Sequence, residues 1–308
     1  MVKDVSYKLY ISQTTSASLT HHVLYSERFL SIWKRRKRTR SNIYKTDAIT
    51  TTIEKVGIGE VSLLQLSDSF FPTGMYTMSN GLETYFYSKK VKGTDQVRHL
   101  IKVYLTQQVG PADCVALGNS YQAILSSDLQ KLIEIDQTIF AMRLVQEVRN
   151  ASTRSGNQIL KCVSSFITST NNSDRNNNNK KNINNDSSNN NSNKDILNRY
   201  QEAIKEGRAS GIYPIALAVV SSLFGIPKYK CAIMMLYSFT ASMIGASLRL
   251  GMLDHVDGQR VIHELKPTIL KTVDTNIDRP LSSIWQFAPE IDITQIRHER
   301  TSSRMFIT

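Results

Sequence analysis

"DQVRHLIKVYLTQQVGP", residues 95–111, decides how the chain is read as a fold. Its apolar residues Val97, Leu100, Ile101, Tyr104, Leu105 and Val109 recur at spacings of three and four, the stripe that one face of an α-helix turns toward a core. Gly110-Pro111 follows, and a proline without an N–H is expected to end the helix there. Outward along the chain, "DLQKLIEIDQTIFAMRLVQEV" at 128–148 repeats the period through Leu129, Leu132, Ile133, Ile139, Met142, Leu144 and Val145. No Gly or Pro interrupts it, so one helix is expected across it. No region sustains the alternation of a strand, and the fold class is read as all-α, a single helical bundle.

Two apolar stretches complete the bundle. Residues 212–226, "IYPIALAVVSSLFGI", lie between Gly211 and Pro227, and residues 231–248, "CAIMMLYSFTASMIGASL", carry no charge. The second is near the lower length limit of a membrane span, roughly 17 residues. Ser238, Thr240, Ser242 and Ser247 make it polar for a span, and Ala241 with Gly245 would suit close helix packing, so a buried helix is the reading preferred. A membrane-associated helical protein stays as an alternative.

The charge is uneven. Of the net +12, residues 1–56 contribute +7 from 11 Lys/Arg against 4 Asp/Glu, centred on "WKRRKRTR" at 33–40. This segment is read as a basic, mostly disordered extension, with a helical nucleic-acid binder as a further alternative resting on it. Residues 57–308 are then the folded domain. Within it, residues 171–194 hold 13 Asn and one aliphatic residue, Ile183, too little apolar surface to offset ordering, and read as a disordered insertion.

The chemistry of a catalyst is not legible. Cys114, Cys162 and Cys231 are odd in number and widely spaced, which argues against a disulfide framework or a paired metal site and for a reducing compartment such as the cytoplasm. The scattered histidines form no HExxH, and no GK[ST] loop or GxSxG elbow occurs. No catalytic, cofactor or metal residues are assigned.

One stretch exceeds what a helix connection needs: "LLQLSDSFFPTGMYTMSNGLE", 63–83. Val61, Leu63, Leu64 and Leu66 are expected to face a core, Pro72 to end the helix, and Gly74 to let the chain turn. Asn80 is expected to cap the next helix, with Glu83 reaching back to it. The stretch resembles the signature of the urease accessory protein UreF family through Leu63, Leu64, Gln65, Leu66, Asp68, Ser69, Pro72, Thr73, Gly74, Ser79, Gly81, Leu82 and Glu83, with Met75 where a second Gly is usual. Residues 147–160 are similar through Glu147, Arg149, Ala151, Ser152 and Gly156. Tyr213 stands near a usual His, and Arg249, Leu250, Gly258 and Gln259 match a further block in which Asp254-His255 replace the first Gly-Gln. The last block matches through Pro289, Asp292, Ile293, Arg297, His298, Glu299, Ser303, Arg304 and Phe306.

The resemblance implies a non-enzymatic all-α adaptor. It would dimerise, bind the accessory protein UreD (also called UreH), recruit the GTPase UreG, and serve nickel delivery to the urease apoprotein. No cofactor would be held stably: GTP belongs to UreG, and nickel passes through the complex. Neither nucleic acid nor membrane is an implied partner. The candidate interface residues are Asp68, Pro72, Thr73, Gly74, Ser79, Gly81 and Glu83 in the turn, and Arg149, Ser152, Arg249 and Gln259 on the helices. Arg297, His298, Glu299, Arg304 and Phe306 complete them in the tail, which is expected to order on binding UreD, with a C-terminal helix docked on its own core as the alternative; Arg249 and Gln259 are expected to be buried hydrogen-bonding posts.

Overall fold

The computed structural model describes residues 57–174, 187–301 and 304–308. The basic extension at 1–56 lies outside them. Of the Asn-rich tract, residues 171–174 and 187–194 are helical and 175–186 lie outside the described residues, so helix enters the tract from both sides.

Every regular element among the described residues is helical. In chain order they are α1 (Ile58–Ser67), α2 (Leu82–Tyr87), α3 (Thr94–Tyr104), a π-helical stretch (Leu105–Cys114), α4 (Val115–Leu125), α5 (Leu129–Met142), α6 (Gln146–Asp174), α7 (Ser187–Lys205), α8 (Tyr213–Leu223), α9 (Lys228–Arg249), α10 (His255–Asn276) and α11 (Pro289–Glu299). The centre is α8, whose residues from Tyr213 to Ser222 are all buried. Helices α4, α6, α7 and α9 pack around it. A helix apolar on every side has nowhere to go but a core, and this one opens with Pro214 in its first turn, where the missing N–H costs nothing. Helix α9 is long and apolar enough to cross a membrane, and 56% of its most apolar stretch is buried inside the fold. Gly245, expected to serve close packing, instead faces open space.

Two sequence expectations about helix ends are corrected. Gly110-Pro111 does not end α3; the chain continues as π-helix straight into α4. The wider turn accommodates the ring, and the carbonyls it displaces find new donors, with Gln107 O accepting from the Phe287 N–H at 3.0 Å and Pro111 O from the Trp285 N–H at 3.3 Å. Gly110 is needed for packing, since a Cβ there would sit 2.4 Å from Thr272 Cγ2 on α10. Conversely, 128–148 is not one helix: α5 stops at Met142 and Arg143 is extended. Arg143 turns inward to pair with Asp113 at 2.5 Å, and its own carbonyl accepts from Arg149 Nη1 at 3.2 Å. Tertiary pairing decides that break, with no local breaker to announce it.

Helix α1 uses less of its apolar surface than expected. Leu66 is buried and Leu63 packs on the core, but Val61 and Leu64 are exposed. Its last turn ends at Ser67, ahead of Pro72, and Asp68 takes an extended conformation.

Candidate functional site

The turn between α1 and α2 is built from backbone geometry. Asp68 Oδ1 accepts the Phe70 N–H at 2.9 Å, and buried Thr73 receives the Met75 N–H on its hydroxyl at 3.4 Å. Exposed Pro72 and Gly74 form the outer bend, with Gly74 at φ 81° leading into a short 3₁₀ turn at Met75–Thr77. Asn80 and Gly81 then follow at φ 51° and 83°, both left-handed, which only Gly adopts freely and Asn tolerates.

Asn80 and Glu83 do not form the expected cap. Gly81 is the residue flanking α2, and no side chain caps it. The left-handed pair turns the Asn80 carbonyl inward, where it accepts from the Tyr104 hydroxyl and from Gln295 Nε2, the latter at 3.4 Å. Glu83 is freed to point away from Asn80, into the space beneath α11.

There Glu83, 3% exposed, meets His298, 1% exposed. His298 Nε2 lies 3.0 Å from Glu83 Oε2, and its Nδ1 lies 2.7 Å from Glu147 Oε2 on α6. Glu147 also receives Arg304, while its own N–H donates to Glu299 Oε1 at 2.9 Å, so Glu299 satisfies a free donor at the start of α6. Glu83 takes two further donors, the Met305 N–H at 2.8 Å and the Phe306 N–H at 3.2 Å. The ring nitrogens meet the carboxylates directly, at separations too short for an ion between them, which would need about 2 Å to each ligand.

Residues 304–308 thereby lie along the turn. Thr77 O accepts the Ile307 N–H at 2.9 Å, Thr308 O accepts the Ser79 N–H at 2.9 Å and also the Ser79 hydroxyl, and Thr308 Oγ1 accepts the Asn80 N–H at 3.3 Å. Phe306 is buried, and the Arg249 guanidinium sits 4.6 Å from its ring centroid and 3.9 Å from that of Tyr76. The tail is docked on its own core in this structure, which is the second of the two readings of it. Glu83 supplies the acceptor for the Met305 and Phe306 N–H groups, which docking would otherwise leave unpaired.

The candidates thus separate. Ser79, Gly81, Glu83, Arg249, His298, Glu299, Arg304 and Phe306 form one cluster at the junction of α2, α6, α9 and α11. Arg149 and Ser152 lie further along α6; the guanidinium of Arg149 lies over Phe140 at 5.2 Å, and the Ser152 hydroxyl accepts the Tyr213 N–H at 3.3 Å. Asp68, Pro72, Arg297 and Gln259 are exposed. Gln259 is therefore no buried post, because α10 turns Gly258, Val261, Ile262 and Leu265 to the core and Gln259 falls on the opposite side. Sequence reasoning passed over Tyr76, Gln295 and Asp113 entirely, and it quoted Glu147 without assigning it a place in the site.

Beside the cluster is a cavity of about 80 Å³, lined by Asp113, Arg143, Ser155 and Tyr213 among apolar neighbours that include Met78 and Phe239. Burial pushes the Asp113 carboxyl up, and Arg143 beside it pulls the other way. Burial also pushes the Cys114 thiol up to about 12 and that of Cys231 up to about 11, which leaves neither a thiolate nucleophile at neutral pH.

The fold and site define an all-helical bundle whose charged groups at this junction hold its own turn and tail in place. Comparison with known sequences gives the class a family: the UreF pattern matches residues 91–266. Relatives described as urease accessory protein UreF include one from Trichodesmium erythraeum, 28% identical over 80% of this chain and 96% of its own length, and one from Bacillus sp. strain TB-90, 27% identical over 80% of this chain and 98% of its own. The chain belongs to the UreF family of urease accessory proteins, a family of accessory proteins and not of catalytic enzymes.

Proposed function

We propose that the chain is the adaptor of a urease maturation assembly, bridging UreD/UreH to the GTPase UreG while nickel is delivered to the urease apoprotein. It acts as a homodimer, GTP is bound by UreG, and nickel passes through the complex without a resident site on this chain. The observation that carries the reading is family membership across the helical core. The docked tail supports it: Ile293, Ile296, Met305 and Ile307 all leave apolar surface outside, with Arg297 exposed among them. Apolar anchors with a charged rim suit a protein interface.

Co-purification of the full chain with the matching UreD/UreH and UreG, with masses from light scattering, tests this. A stoichiometric three-protein complex that forms only when UreD/UreH is present is the expected result. A folded chain that captures neither partner would overturn the bridging role.

A further inference from the structure

We infer that the cavity lined by Asp113, Arg143 and Ser155 is a binding site for a small neutral molecule carrying a primary amide, which its polar wall recognises.

That wall has bonding capacity the fold leaves unused. Among the described residues, the hydroxyl of Ser155, 1% exposed, has no hydrogen-bond partner. Arg143 gives Nη2 to Asp113, while its Nε is buried and likewise unpartnered. Asp113, itself buried, accepts this one bond, although a carboxylate has room for about four. All three residues line the same cavity. Buried polar groups are ordinarily paired, so two orphaned atoms on one cavity wall point to an occupant.

The bonding pattern sets the chemistry of that occupant. The Arg143 Nε–H can only donate and the Asp113 carboxylate can only accept, so the occupant needs an acceptor for one and a donor for the other. The guanidinium and carboxylate balance each other, which leaves a charged occupant uncompensated in a buried site. A primary amide is neutral and sets its carbonyl and its NH₂ on separate atoms of one plane. Its second N–H is then free for the Ser155 hydroxyl, which can accept.

Volume sets the size. A water needs about 10–15 Å³ of such space, so about 80 Å³ holds roughly five to eight water-sized groups, enough for an amide with a short alkyl chain. Met78, Val109, Met235 and Phe239 supply the apolar wall that such a chain needs. No lining residue is exposed, and a few placed polar groups in a mostly apolar hollow are the usual build of a small-molecule site.

The two charged arms come from irregular backbone. Asp113 lies in the π-helical stretch, and Arg143 is extended where α5 breaks off. Such π-turns recur at functional sites, and here both departures from regular helix serve one buried pair at the cavity wall. The inference goes beyond the adaptor reading, and its test needs no partner protein.

The test is methyl NMR of the full chain, with the methionine methyl groups labelled with carbon-13 and acetamide and propionamide as probes. Saturable shifts are expected at Met75, Met78 and Met235, which line the cavity. Acetate, of the same shape but charged, should bind at least about tenfold more weakly, because it would set a second carboxylate against Asp113. Ser155→Ala removes a hydroxyl that has no partner in the fold, so the melting temperature should hold while amide affinity falls by about three- to tenfold. No saturable shift at these methyls, acetate binding as tightly as acetamide, or equal affinity in Ser155→Ala would each overturn the site and leave a cavity that holds water only.

Discussion

Glu83 Oε2 and His298 Nε2 lie 3.0 Å apart although 215 residues separate them in sequence. The contact joins the turn after α1 to the end of α11, and the carboxylate also holds the Met305 and Phe306 N–H groups. Glu83→Ala removes the acceptor of all three donors in a buried site. Breaking a buried pair in this way costs about 3–5 kcal/mol, so the variant should unfold at markedly lower denaturant than wild type. Glu83→Gln retains one acceptor oxygen and should fall between the two. A denaturation midpoint for Glu83→Ala within error of wild type would show that the tail does not depend on this carboxylate.

The helical class was legible because it rests on period: Val97, Leu100, Ile101 and Tyr104 all line the buried face of α3. Helix ends were less so. Pro111 is a strong local breaker overruled by a π-turn whose carbonyls are partnered from residues 285–287, and Arg143 is a good helix former pulled out of α5 by Asp113. In both cases the deciding partner is remote, so no local window could contain it. The site shows the same division. The residues of the turn and tail were picked out by motif, whereas their convergence, and the entry of Glu147 and Tyr76, depends on α6 and α9 bringing distant segments together.

Glycines give opposite predictions according to what a Cβ would meet. At Gly156 on α6 it would lie 2.0 Å from the Gly211 carbonyl oxygen, and at Gly118 on α4 it would lie 1.9 Å from that of Ile277. Both obstacles are backbone, so neither can rotate away, and Gly156→Ala and Gly118→Ala should each destabilise by about 1–3 kcal/mol or more. Gly245 lies within α9 with nothing near its Cβ position, and Gly245→Ala should stabilise by about 0.5–1 kcal/mol through helix propensity. Thermal melts of the three variants check the ordering; a stable Gly156→Ala would mean that α6 and the 211–213 segment are not in contact.

Asp136 supports the central helix from a distance. It is wholly buried, and it accepts the N–H groups of Ser210, Gly211 and Ile212 at 2.6, 3.0 and 3.0 Å, together with the Tyr200 hydroxyl at 2.6 Å. Burial and the neighbouring Asp136 carboxylate push the Tyr200 phenol well up, so it remains a donor. Asp136→Asn replaces one acceptor by an NH₂ facing other donors. With hydrogen bonds to charged groups contributing about 1.5–3 kcal/mol each, a loss of at least about 2 kcal/mol is expected by chemical denaturation. Unchanged stability would mean that the segment before α8 is held by packing alone.

Arg249 should matter to the tail more than to the fold. Its guanidinium lies over the rings of both Tyr76 and Phe306, its Nε bonds within α9, to Gly245 O at 3.1 Å, and its Nη2 is buried without a hydrogen-bond partner. Its grip on Phe306 is therefore a cation–π contact rather than an ion pair, a setting in which a guanidinium and a lysine ammonium are not interchangeable. Arg249→Lys should weaken docking of residues 304–308 by about 1–2 kcal/mol, read as roughly tenfold faster amide exchange there, with the global melting temperature little changed. Arg249→Met separates charge from bulk, since it can make sulfur contacts to the rings but carries no cation. If the methionine variant holds the segment as well as arginine does, the space over the rings needs filling and not charging. If both variants exchange alike and faster, the guanidinium is what keeps Phe306 in place.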